Sequence, residues 1–568
     1  MLRLPARTTI AAVLLGSCCF LLGAAVEKEK NPITSKMIAA AEQMFGLRFT
    51  APKREMMRNN VNGLRKNYEA LRAVPLPNNV PPAILFNPLP VGFQAPAERR
   101  PIRWTLPGRV LRPAQLDDAA FFTIGELAEL IRTRQVTSVE LTQMYLARLK
   151  KYGPKLECVV TLTEELALRQ AREADAEIAA GHYRGMLHGI PYGAKDLLAV
   201  KGYPTTWGSV PYKDQVIDED AAVIVKLREA GAVLVAKLTM GELAWGDVWF
   251  GGTTRNPWNY EQGSSGSSAG SASATSAGLV PFAIGTETWG SIISPSTRCG
   301  VTGLRPTYGR VSRSGAMALS WSMDKIGPIC RAVEDCGIVF NAILGPDGKD
   351  QTVYDYPFNY APDVDLSRLR IGYLSKDFEK EVEDDKRKTE DELDTSRAND
   401  QAALSRLRDL GAALIPVELP ALPVNDFAFI LDSEAAAAFD ELTRTGKDDL
   451  MKRQIENAWP NVFRVARMIP AVEYIQANRA RFKLIREMDA LMQKVDVFVA
   501  PSVEGDTQLV TNLTGHPCVA VPNGFTAKGA PTSISVCGKL FDEGTVLVVA
   551  RRFQEATDHH RKHPQLKE

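Results

Sequence analysis

From about Phe121 onward, short uninterrupted apolar runs alternate with stretches whose apolar residues recur every three or four positions. The first pattern suits buried strands and the second suits helices with one face on a core. Strand-like runs cover Gly189 to Ala194, Ala232 to Ala236, Leu369 to Leu374, Ala412 to Leu419, Val495 to Ala500 and Cys518 to Pro522. Helices are expected over Ala221 to Ala230 and Ala471 to Gln493. A capping-box pattern, Thr137-x-x-Glu140, opens another through Leu141, Met144, Tyr145 and Leu149. Such alternation predicts an α/β domain, a sheet covered by helices.

The ends of the chain read differently. Arg3 and Arg7 precede an apolar stretch from Ile10 to Val26, and Gly23-Ala24-Ala25 supplies small residues before the charged Glu27-Lys28-Glu29-Lys30. This is the pattern of a secretory signal peptide over residues 1–25, which predicts an exported protein, periplasmic or secreted. Cys18 after small residues is the lipoprotein alternative, but the apolar run continues past it. At about 17 residues the run is short for a spanning helix, so no stable membrane insertion is expected after cleavage. Residues 26–73 read as a helical extension, with Ile38, Met44, Leu64, Tyr68 and Leu71 among charges. Residues 74–117 are dense in proline, from Pro75 to Pro107, and predict an extended arm. The main domain is then placed at 118–556, with a polar tail at 557–568 that reads as frayed. The charged segment Asp377 to Asp400 reads as a solvated helix.

Composition adds mainly exclusions. A net charge of +1 and no basic run with interleaved aromatics argue against a nucleic-acid partner. Cys158, Cys299, Cys330, Cys336, Cys518 and Cys537 carry no CxxC pair, so neither a disulfide framework nor a zinc site is signalled. Cys330 and Cys336 are near enough for a local bridge, which spacing alone leaves open. No cofactor and no metal is called for, and a homodimer is left open.

Three segments carry candidate chemistry. Gly263 to Gly278, GSSGSSAGSASATSAG, has the composition of a flexible linker. Alanine enters from Ala269, however, and the apolar run Leu279 to Ile284 follows at once, so a serine loop opening a small-residue helix fits better. Gly285-Thr286-Glu287-Thr288-Trp289-Gly290-Ser291-Ile292 is a second glycine-bearing loop, and taken alone Ser291 could be an ordinary turn serine. In Gly193-Ala194-Lys195-Asp196, the lysine is a surface charge unless buried; burial would bring it toward neutrality and make it a general base. Gly266-Ser267-Ser268-Ala269-Gly270 also fits the Gly-x-Ser-x-Gly nucleophile elbow of an esterase, with Ser268 as nucleophile and His516 as the one credible histidine. The polar residues before it do not supply the strand that elbow needs. The glycine-serine run lacks the Gly-Lys-Ser/Thr of a phosphate loop.

Taken together, these segments resemble the amidase signature family of serine hydrolases. Ser267-Ser268 resembles its serine pair, Gly290-Ser291-Ile292 its nucleophile segment and the GAKD around Lys195 its lysine motif. Gly300 to Val311, Asp324-x-x-Gly327-Pro328, Tyr474-x-x-Ala477-x-Arg479, Asp496 to Pro501 and Asn512 to Gly515 continue the likeness, which spans roughly Phe121 to Phe553. The resemblance implies a central mixed sheet with helices on both faces, and hydrolysis of the carbon–nitrogen bond of a small-molecule amide as the activity. It also implies a relay in which Lys195 takes a proton from Ser267, and Ser267 from the nucleophile Ser291. A cis peptide at Gly266–Ser267 and an oxyanion hole from the amides of Thr288, Trp289, Gly290 and Ser291 come with it, and Ser265, Gly266 and Trp289 fall at the substrate. The serine loop departs from the usual form at Ser265 and Ala269. Trp289 stands where glycine is common and would be strained there only at positive φ; the Gly-Thr-Glu-Thr-x-Gly-Ser form resembles members similar to peptide amidases, which tolerate a side chain there. Ile293 replaces a common arginine. Two other readings follow from the same residues: a non-catalytic exported binding protein on this fold, and the glutaminase-like subunit that helps mature aminoacyl-tRNA, whose cytoplasmic work the export signal opposes.

Overall fold

The structure, a computed structural model, describes residues 32–105, 107–379 and 390–567. The signal-peptide segment therefore lies outside the described residues. The chain divides into two units, Met1–Leu76 and Pro77–Glu568.

In the first unit, helices Ser35–Met44 and Ala51–Arg72 form a hairpin. Thr34 caps the first helix by accepting from the Met37 amide, and a proline sits in the first turn of the second. Glu42 clasps the two, pairing with Arg54 at 2.9 Å and accepting from the Phe49 amide at 3.2 Å.

The second unit is built on an eleven-stranded mixed sheet. Its strands are β1 (Val159–Leu162), β2 (Pro191–Lys195), β3 (Val233–Leu238), β4 (Phe282–Glu287), β5 (Thr302–Arg305) and β6 (Lys325–Cys330). They continue with β7 (Ile371–Leu374), β8 (Leu414–Val417), β9 (Val497–Pro501), β10 (Cys518–Phe525) and β11 (Pro531–Gly538). The spatial order is β1-β3-β2-β4-β6-β5-β10-β11-β9-β7-β8. The left part β3-β2-β4 and the right part β9-β7-β8 are parallel, joined by antiparallel pairings through the middle. Strands β2, β3, β4 and β6 are buried along their whole length, which explains why β2, β3 and the first half of β4 read as continuous apolar runs and not as alternating ones. Helices pack on the sheet: Ser138–Leu156 and Glu164–Ala179 on β3, Ala269–Ser276 on β4, and Ile293–Cys299 and Glu543–Thr557 on β10. None of the described helices is long and apolar enough to cross a membrane.

The glycine-serine run is not a linker. Its second half is the helix Ala269–Ser276, all eight residues of which are buried. Small side chains let it approach closely: a Cβ on Gly270 would stand 2.5 Å from the Cys158 carbonyl oxygen. The serines satisfy themselves outward, Ser271 donating to Ile284 O (3.0 Å), Ser273 to Arg255 O (2.7 Å) and Ser276 to Cys299 O (2.6 Å).

Three further expectations meet the structure. The segment around residue 390 forms the helix Glu390–Asp409, residues 380–389 lying outside the description. The C-terminal tail is docked, not frayed. Buried Arg331 needs acceptors and donates to the carbonyls of His560 (3.0 Å) and Lys562 (3.2 Å), and the His563 ring stacks on Phe121 at 4.1 Å. Cys330 and Cys336 are free thiols, as are Cys158, Cys299, Cys518 and Cys537, and all of these are buried.

The proline arm from Pro77 lies along this unit. The Asn78 side chain donates to Ala318 O and accepts from Ala318 N, both at 2.8 Å. Phe93 packs near Phe541, Trp104 against Tyr360, and the Thr105 amide donates to Glu334 at 2.5 Å.

Candidate active site

Lys195 ends β2 and Thr286 nears the end of β4, its parallel neighbour. The parallel register therefore puts both at the same edge of the sheet, beside the loop that precedes helix Ala269–Ser276. Glycine at 285 is what leaves room there, because a Cβ would lie 2.8 Å from Ser268 Oγ. The Lys195 ammonium is fully buried and reaches four oxygens: Ser267 Oγ at 2.8 Å, Thr286 Oγ1 at 2.9 Å, Ser268 Oγ at 3.1 Å and Thr286 O at 3.3 Å. Among the described residues no carboxylate touches it. Burial lowers its pKa to about 7, with the charges of Asp324 and Glu287 opposing the fall. Neighbouring Lys237 is equally buried but faces Asp196 at 2.8 Å, and so has the counter-charge that Lys195 lacks in contact.

The Gly266–Ser267 peptide is cis. Only glycine fits at 266, where a Cβ would stand 1.9 Å from Gly246 O. Ser265 adopts a left-handed φ of 60°, donates its amide to Asp247 at 2.9 Å and shares a hydroxyl bond with Ser294 at 2.8 Å. Ser291 is tied to this loop through the backbone, Ser268 N donating to Ser291 O at 3.1 Å. Of the three predicted relay residues it is the one most open, 8% exposed against 1% for Ser267 and 0% for Lys195. Among the described residues its hydroxyl has no hydrogen-bond partner, and no direct bond joins it to Ser267.

The loop 288–291 is held from beneath by Glu287. One carboxylate oxygen accepts from the amides of Ile292 (2.8 Å) and Ile293 (3.0 Å). The other accepts from Arg305 (2.6 Å) and Asn512 (2.8 Å). Burial alone would raise this carboxyl, but the Arg305 charge and the hydrogen bonds from Asn512 and Ile293 hold it at about 2. With Ile292 and Ile293 thus occupied, the amides of Trp289, Gly290 and Ser291 have no acceptor among the described residues. Thr288 is fixed by donating its hydroxyl to Asp324 at 2.6 Å. The positive φ in this loop falls on Gly290 (82°), not on Trp289, so the tryptophan is accommodated without strain and stands 43% exposed. The arrangement can therefore hold a buried amine against one hydroxyl, with a second, free hydroxyl beside unpaired amides.

The esterase alternative lacks its histidine. His516 is buried and bonds Thr514 Oγ1 at 2.8 Å; burial and then Arg305 lower its pKa to about 3. Ser268 donates to Thr286 O and accepts from Thr286 N, both at 3.1 Å, inside the core. Sequence reading did not assign roles to Thr286, Glu287 or Asp324, nor to the Thr288 side chain. The one signal was polar residues, Thr286 and Glu287, closing an otherwise apolar strand.

The fold and this serine–lysine centre define the class: a serine hydrolase on a mixed α/β sheet. The chain belongs to the amidase family, whose model matches residues 140–510. It is 35% identical over 498 residues to a glutamyl-tRNA(Gln) amidotransferase subunit from Roseiflexus sp. (strain RS-1), covering 78% of this chain and 98% of that protein. Among solved structures it is similar to the native peptide amidase of Stenotrophomonas maltophilia (28% identity, TM-score 0.69, 80% of this chain and 100% of that one). An amidase family protein from Bacillus anthracis matches at 26% identity with a TM-score of 0.69, over 79% of this chain and 94% of that one.

Proposed function

We propose that the protein is an exported hydrolase of linear amides in which Ser291 is the nucleophile, Ser267 the proton relay and Lys195 the base. The observation that carries this reading is a buried lysine, without a carboxylate in contact, 2.8 Å from Ser267 Oγ. A neutral amine has two N–H groups for Thr286 and Ser268, leaving its lone pair for the Ser267 proton. As Ser267 gives that proton to Lys195 Nζ, it takes the proton of Ser291, whose Oγ forms a bond to the amide carbon. The carbonyl oxygen takes the negative charge and receives the amides of Trp289, Gly290 and Ser291. Collapse breaks the carbon–nitrogen bond, and the proton returns along the same path to the leaving amine. Water then repeats the sequence on the Ser291 ester and frees the acid. Export is supported by the residue pattern of the first 25 positions. Linear amides are supported by the names of the relatives, a peptide amidase and amidotransferase subunits.

The test is a fluorophosphonate probe on the purified protein followed by peptide mapping. Label is expected on Ser291 and absent from Ser291→Ala, which also loses amide hydrolysis while keeping its thermal midpoint; label on Ser268 would overturn the assignment. A second reading, one component of an amidotransferase that draws on glutamine, is favoured by the 35% identity to a protein of that name. It requires glutamine to be hydrolysed far better than other amides, and co-purification with a second protein.

A further inference from the structure

An open cavity of about 1290 Å³ lies beside the centre, larger than the roughly 300–1,000 Å³ usual for small-molecule sites. Its inner end includes Thr286, which touches Lys195, and Thr288 of the loop before Ser291. Its outer walls are the arm from Asn78 to Asn87 and one face of the helix Ala471–Met492. Four large apolar side chains line it and yet stand open to solvent: Ile84 (84% exposed), Leu85 (46%), Ile475 (58%) and Phe482 (48%). Apolar groups gathered on a concave surface and left wet are the mark of a face that a ligand covers.

Most large charged groups of the same cavity are engaged, and Lys349 and Glu219, which also line it, face each other at 4.0 Å. Arg313 pairs with Asp350 at 3.1 Å, and Glu434 accepts from Ser320, Ser322 and Tyr474 at 2.6 to 3.0 Å. Arg481 donates to Leu513 O at 2.6 Å and to Ser322 Oγ at 2.7 Å. The arm is pinned on either side of its exposed residues. Asn78 is bonded to Ala318, and Phe86 lies under the Arg481 guanidinium at 3.6 Å with its edge on Tyr308 at 5.1 Å. Between these anchors Ile84 and Leu85 are presented to the cavity. The arm also precedes residue 140, where the match to the family model begins, so this wall is outside the part of the chain that the model describes.

We infer that Ile84 and Leu85 of the arm, with Ile475 and Phe482 of the helix Ala471–Met492, form an apolar lining that binds the body of the substrate. They thereby select amides whose acyl part is an extended apolar chain. The acyl part, and not the leaving amine, is the occupant to which the chain-length series holds this lining. The inference rests on the proposed role of Ser291 and fixes the substrate class of that site.

The experiment is a series of straight-chain acyl p-nitroanilides, acetyl to decanoyl, hydrolysed by the full-length protein, by an Ile84→Ser/Leu85→Ser double variant and by Phe482→Ser. For the unmodified protein kcat/KM should climb about three- to fourfold per methylene over the first several carbons, the gain of moving each one out of water. In either variant the decanoyl-to-acetyl ratio of kcat/KM should fall at least tenfold, mainly through KM, with the circular dichroism spectrum kept. A flat chain-length profile in the unmodified protein, with Ser291 still labelled by the fluorophosphonate, would overturn this inference alone. A decanoyl-to-acetyl ratio that the substitutions leave in place would do the same. Absence of Ser291 labelling together with no hydrolysis of any anilide would instead overturn the reading beneath it.

Discussion

Replacing Lys195 by arginine tests the proton path most directly. An exposed lysine near its ordinary pKa of about 10.4 is neutral in only about one molecule in 2,500 at pH 7. With the pKa brought to about 7 by burial, half of the Lys195 side chains are neutral at pH 7, a gain of roughly a thousandfold in usable base. The sign follows: the active form is the deprotonated one, so kcat/KM should rise with pH along a slope of one and level off above about pH 8. At pH 5 it should be about one hundredth of the plateau. Arginine keeps its proton at every working pH, so Lys195→Arg should lose this limb and fall by about 10²–10⁴ in kcat/KM, the usual contribution of a positioned base. The assay is kcat/KM on an unactivated amide from pH 5 to 9. Among the described residues the buried Asp335 carboxyl is also brought to about 7, chiefly by burial, and its side chain accepts from Ile124 N away from the site. Asp335→Asn should therefore leave the limb in place. Near-full activity in Lys195→Arg, or a limb that vanishes in Asp335→Asn and not with the lysine, would refute the reasoning.

Three other outcomes are expected. Arg305→Met removes one partner of a fully buried ion pair, leaving Glu287 without its cation. The loss should be about 3–5 kcal/mol by urea unfolding, with the loop 288–291 released and activity gone. Gly266→Ala must push a methyl group into Gly246 O and should lower the thermal midpoint and the rate of Ser291 labelling together. His516→Ala deletes only the bond to Thr514 and should keep most of its amide hydrolysis; a loss as deep as that of Ser291→Ala in a folded protein would revive the esterase reading.

Much of the architecture was legible because its causes are local. Buried strands announce themselves as apolar runs, and Thr137 with Glu140 closes its capping box within three residues. Ser267, Ser291 and Lys195 were legible as motif residues. What they do depends on facts no window of sequence contains. Lys195 and Ser267 are 72 residues apart, and they meet because β2 lies beside β4 and the serine loop folds across the same edge. The lysine is brought toward neutrality only through burial among oxygens that carry no charge, a property of everything packed around it. Glu287 could not be read as the support of the loop 288–291, since its bonds to the Ile292 and Ile293 amides rely on a charge held by Arg305 and, 225 positions on, Asn512. The tail was misread for the same reason: its own residues are polar, but it is held by Arg331 and Phe121, which the folded domain brings to it. The proline arm was predicted as extended because proline fixes its own backbone. That it walls a cavity was decided by Asn78 and Phe86 finding Ala318 and Arg481 on the folded domain. Local periodicity and turn chemistry determined the elements; desolvation and pairings across the sheet determined the chemistry, because both are set by distances that exist only once the chain has packed.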